Sequence, residues 1–158
     1  MYKISKLYKS NEDIGNNRKL QIVLGILDAL DYLHSNNIAH CNLRPNNILF
    51  DGDYFPSLVG FGISREYIER IPIAINTFDY FAPELYGSQT FDKNAYMYSF
   101  GLIVNEIYSR QKTFSDSSRD QISKQKLDGA VHADSNIPGF LSDFIERCLS
   151  MDPENRPS

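Results

Sequence analysis

Residues 40–47 read His40-Cys41-Asn42-Leu43-Arg44-Pro45-Asn46-Asn47, and they hold most of the groups in this chain that could do chemistry. An imidazole could move a proton, a thiolate could attack, and a guanidinium could bind an anion. Each reading has a plainer rival. A reactive thiol needs a lowered pKa, and only Arg44 lies near Cys41 in sequence to supply it. Cys41 therefore reads as a small packed residue. His40 reads as a packed structural histidine. Asn42 and Asn47 are neutral amides, which cannot take a proton near neutral pH. The two cysteines, Cys41 and Cys148, have no metal-ligand spacing and make no disulfide framework. The cluster is rich in polar groups and carries no carboxylate.

The flanking residues predict how this cluster is held. In residues 18–35, Leu20, Val23, Leu24, Leu27 and Leu30 recur at helical spacing. Ile22, Ile26 and Leu33 widen the stripe, which predicts a helix nearly surrounded by core. Asn16 or Asn17 is expected to cap its start and Asn36-Asn37 to end it. Gly25 disfavours a helix by about 1 kcal/mol, so it marks close packing. After the cluster, Ile48-Leu49-Phe50 predicts a strand, Asp51-Gly52-Asp53 a turn, and residues 55–59 a second strand of a small hairpin. Polar residues wedged between an apolar helix and an apolar strand form a loop held by its flanks.

Residues 91–110 predict a second long helix, and Ile137-Pro138 opens a last one with Leu141, Phe144, Ile145, Cys148 and Leu149 as its buried face. Residues 115–127 predict a short exposed helix. Leu7 and Tyr8 could anchor one short helix in the polar stretch 1–17. Residues 63–81 have no clean period, and Pro72 interrupts them. The 158 residues suffice for one domain with a real core. The net charge of -4 gives no case for nucleic acid or an anionic membrane surface. No apolar run is long enough to span a bilayer, and no signal peptide opens the chain. The expected setting is reducing and cytoplasmic.

Residues 40–47 resemble the catalytic loop of protein kinases, H-R-D-L-K-P-x-N, at His40, Leu43, Pro45 and Asn47. Four further stretches follow in the family's order. Gly60-Phe61-Gly62 stands where kinases have D-F-G. Asn76-Thr77-Phe78-Asp79-Tyr80-Phe81-Ala82-Pro83-Glu84 resembles G-T-x-x-Y-x-A-P-E. Tyr98-Ser99-Phe100-Gly101 resembles the end of D-V-Y-S-F-G, and Asp152-Pro153-Glu154-Asn155-Arg156-Pro157-Ser158 resembles D-P-x-x-R-P-S. The tyrosine-kinase-like group of Ser/Thr kinases looks most similar.

The resemblance implies a mainly α fold. It would be the helical C-terminal lobe of a kinase over residues 1–158, with a small β-hairpin, truncated at both ends and without the smaller lobe. It also implies what has been lost. Asn42 stands at the catalytic base and Gly60 at the main metal ligand. Arg44 keeps the phosphate-contact position, and Asn47 keeps a nucleotide and metal position. Phe61 and His40 match members of the kinase spine. Cys41 replaces an Arg that receives an activation-segment phosphate. Tyr96 replaces an Asp whose usual task is to bond the loop backbone, and is expected to leave that loop without its anchor. Gly62, Thr77, Ala82, Pro83, Glu84 and Arg156 are structural positions, the last two forming a buried ion pair.

The expected function is that of a catalytically inactive kinase-like fragment serving as a binding or scaffold module. Its alternative is a Ser/Thr protein kinase whose missing lobe is encoded upstream. No cofactor is expected, Mg-ATP being implied by the family alone. The expected partner is a protein, with self-association through the exposed lobe interface, and neither nucleic acid nor membrane.

Overall fold

The computed structural model describes residues 1–8, 10, 13–61, 65, 66, 78–87 and 93–157. The expectations for Gly62 and Thr77, and for most of 63–81, lie outside the described residues.

Helix α1, Gly15–Ser35, buries Ile22, Val23, Ile26, Leu30 and Leu33. It begins before the expected start. Asn16 and Asn17 lie in its first turn instead of capping it, and the Gly15 amide donates to Asp13 Oδ1 at 3.2 Å. The apolar stripe is also narrower than expected. Leu24 is 51 % exposed, so the helix is half-embedded and not surrounded. Gly25 is the point of closest approach, because a Cβ there would sit 2.5 Å from Pro56 Cγ. At its C-terminal end the Asn36 amide bonds back to Tyr32 and Leu33, and Asn37 turns left-handed with φ 54°.

The hairpin forms as predicted from β3, Ile48–Phe50, and β4, Pro56–Leu58, paired antiparallel. Asp51 closes its turn by accepting from the Asp53 and Phe55 amides, each at 3.0 Å. A third strand was not expected. Strand β1, Tyr2–Lys3, pairs with β3 so that Tyr2 faces Phe50. Strand β2, Ile38–Ala39, lies between α1 and the polar loop and pairs with β5, Arg65–Glu66.

Helix α2, Lys93–Ser109, runs through the centre, with every residue from Ala95 to Tyr108 buried. Its Gly101 lets α4, Gly139–Cys148, approach closely, since a Cβ there would meet Leu149 at 3.0 Å. Helix α3, Arg119–Leu127, is opened by a capping box in which Ser118 and Gln121 exchange side-chain and backbone bonds. It is less exposed than expected, because Ile122 and Lys126 are buried. Among the described residues no helix is long and apolar enough to cross a membrane. The fold is mainly α with a small antiparallel sheet.

Candidate functional site

The polar loop leaves β2 and re-enters order at the 3-10 turn Pro45–Asn47, directly before β3. His40 is 1 % exposed. Its Nε2 lies 3.0 Å from the Val59 carbonyl, which can only accept, so that nitrogen carries the proton. The ring packs on Phe61 at 4.5 Å between centroids. Burial pushes the imidazole pKa below its usual value, against an opposing pull from the Val59 carbonyl. His40 is placed as a neutral packed group.

Cys41 is buried and left-handed, with φ 59°. Its amide donates to Tyr96 Oη at 2.7 Å, which corrects the expectation that Tyr96 leaves the loop without an anchor. The phenol oxygen accepts a main-chain N–H as a carboxylate would. Tyr96 is itself 1 % exposed on α2, and its ring lies against His34 at 5.6 Å. Tyr96→Phe strips a buried amide of this acceptor. It should lower stability by about 1–3 kcal/mol, read as a shift in the urea midpoint.

Asn42, Asn47 and Gly60 come together. Asn47 Nδ2 donates to the Asn42 carbonyl at 2.9 Å. The Asn47 backbone binds Arg44 O through its amide and Val59 N through its carbonyl, both at 2.9 Å. Gly60 has φ 89°, and a Cβ built on it would lie 2.9 Å from Asn47 Cγ and Nδ2. The position is thus closed by backbone and neighbour as well as by residue type. A magnesium ion takes carboxylate and phosphate oxygens, and here the side-chain amide oxygens of Asn42 and Asn47 are what the loop offers. These residues do not fit Mg-ATP. Arg44 is half-buried and lines a narrow cleft with Ser5, Asn46, Asp79, Tyr80 and Lys112.

Beyond the loop, the turn at Pro83–Tyr86 presents Glu84 to Arg156. The guanidinium makes a two-pronged contact, Nη1 to Oε1 at 2.7 Å and Nη2 to Oε2 at 2.9 Å. Its remaining bonds go to the carbonyls of Ser150, Asn94 and Met151. The plane also lies over Tyr98, 5.1 Å from the ring centroid. Ala82 and Pro83 are buried beside it.

Among the described residues, Lys19, Glu106 and Lys126 are buried charged residues that escaped the sequence reading. Glu106, 2 % exposed on α2, accepts from the Tyr80 hydroxyl at 2.9 and 3.1 Å and from the Thr113 amide at 3.1 Å. Burial pushes its pKa up, and those hydrogen bonds pull it back. Its place inside the apolar run 102–108 was the signal that could have singled it out. Lys126 is 1 % exposed and reaches the carbonyls of Asp79 and Phe81, each at 2.7 Å. Nothing in its polar stretch distinguished it from the neighbouring lysines. Together with Ser99, whose hydroxyl donates to Tyr80 O at 2.7 Å, these groups pin residues 78–86 to α2 and α3.

A family model described as the protein kinase domain matches residues 2–158. The chain is similar to a probable serine/threonine-protein kinase of Dictyostelium discoideum, 32% identical over 92% of this chain and 11% of that protein. It is similar to a probable inactive serine/threonine-protein kinase of the same organism, 32% identical over 87% of this chain and 7% of that protein. It is also 28% identical to the Aurora kinase of Saccharomyces cerevisiae, over 99% of this chain and 42% of that protein. The chain thus spans less than half the length of these relatives.

Proposed function

Because the chain belongs to the protein kinase domain family, we propose that it is an inactive member acting as a binding or scaffold module. The observation that carries this is the contact between Asn47 and Gly60. The main metal position has no side-chain oxygen, and the space beside it is taken by an amide already bonded to Asn42. Phosphoryl transfer depends on positioning and charge neutralisation. Asn42 at the base position removes a further contribution of about 10²–10⁴ in rate.

The test is a thermal melt with and without millimolar Mg-ATP, beside a phosphate-transfer assay. A ligand at a hundred times its dissociation constant would stabilise by about 2.7 kcal/mol. At this size that raises Tm by roughly 5–10 °C. The expected result is no shift and no transfer. A clear shift, or turnover, overturns the reading.

The partner proposed is a protein or a second copy of the chain. Apolar surface supports this, with Tyr2 55 % and Phe61 43 % exposed, since exposed apolar patches promote association. One observation favours the alternative of a Ser/Thr protein kinase with a further lobe outside this sequence. The relatives are longer than the chain by more than twofold. An in-frame segment upstream resembling the kinase lysine strand would support that lineage, and Asn42 and Gly60 would still have to be circumvented.

A further inference from the structure

Lys126 sits in the last turn of α3 with its amino end inside the fold. Nζ donates to Asp79 O and Phe81 O at 2.7 Å and lies 3.5 Å from Phe78 O. Three rings close around it: Phe114 at 5.0 Å, Tyr98 at 5.6 Å and Tyr86 at 5.7 Å. No carboxylate among the described residues comes within ion-pair range of it. Buried lysines are rare unless paired, so this one calls for a reason.

We propose that Lys126 is a proton-operated latch: as a neutral amine it docks α3 onto residues 78–86, and as an ammonium it loosens that dock. The docked Nζ is buried, is held by main-chain carbonyls of another segment, and has no counter-ion among the described residues. A charge there is also desolvated without a counter-ion. Other groups act on the site from each side. Asp79 and Tyr86 face it from the 78–86 segment, and Tyr98 from α2. Arg156 and Glu84 lie behind Tyr98, and Arg119, on α3 itself, covers Phe78. The Asp79 charge and the ring faces favour the cation. Burial outweighs them and pushes the pKa down to about 7.

The sign of the pH effect follows. An undocked lysine titrates near 10.4. Between that value and about 7 the undocked state holds one more proton, so undocking grows about tenfold for each pH unit of acidification. Below about 7 both states are charged and the dependence stops. The latch reaches the candidate site because Asp79 also lines the cleft beside Arg44.

Two measurements on the full chain test this. The first is a nuclear magnetic resonance titration of labelled lysine, in which Lys126 should titrate near neutral pH. The second is quench-flow hydrogen exchange, corrected for intrinsic rates, over residues 78–87 and α3. Protection should be flat from pH 6 to 7 and rise about tenfold per unit to pH 9. Lys126→Met should abolish the slope, and Lys126→Arg, permanently charged, should give low protection throughout. A Lys126 that stays charged through pH 9 overturns the proposal, as does an equal slope in wild type and Lys126→Met. If both variants fail to fold, the wild-type titration alone decides.

Discussion

Arg156→Ala should lower the stability of the chain by about 3–5 kcal/mol, because it strands a partly buried carboxylate. The Arg156 side chain is fully buried and that of Glu84 is 26 % exposed. Both oxygens of Glu84 are held by the guanidinium. The carbonyls of Ser150, Asn94 and Met151 lose a donor in the same substitution. Water can reach Glu84 from its exposed side, which places the effect toward the lower end of the range. A frayed surface pair would be worth only about 0–1 kcal/mol. Equilibrium urea unfolding separates the two, and an unchanged midpoint would refute the buried pair. Arg156→Lys should recover little, since a lysine cannot reproduce the planar fork.

The second large effect is on chemistry. Asn42→Asp with Gly60→Asp restores, in residue type, a general base and a metal ligand. It should yield no phosphoryl transfer above buffer background, and a less stable protein. An aspartate at φ 89° is strained by about 1–3 kcal/mol. Its Cβ also displaces the Asn47 side chain from its bond to the Asn42 carbonyl, a loss of roughly 0.5–1.5 kcal/mol. The carboxylate would then stand in a rearranged pocket, with no additional group to cradle phosphates. Kinase assays and urea melts of the single and double variants check both halves. Turnover in the double variant would overturn this account of the site.

Much of this was open to reading from residue order alone. The apolar periods of α1, α2 and α4 are properties of neighbours three and four apart, so the chain carries them without reference to the fold. The Asp51-Gly52-Asp53 turn is equally local. Motif order across residues 40–158 was enough to place the family, and Asn42 and Gly60 were visible as departures from it.

The tertiary structure decided what depends on residues meeting from afar. The anchor of the loop is a bond between Cys41 and Tyr96, which lie 55 positions apart. Lys126 is buried because it meets the carbonyl of Asp79, 47 positions away. Leu24, expected in the core, is exposed, while Gly25 beside it takes Pro56 of the hairpin against its missing side chain. Strand β1 exists through its pairing with β3, since two residues have no period of their own. A local pattern reports which face of an element is apolar. It holds no information on which partner arrives, and the partner is what turns a surface-type lysine or a core tyrosine into part of a site.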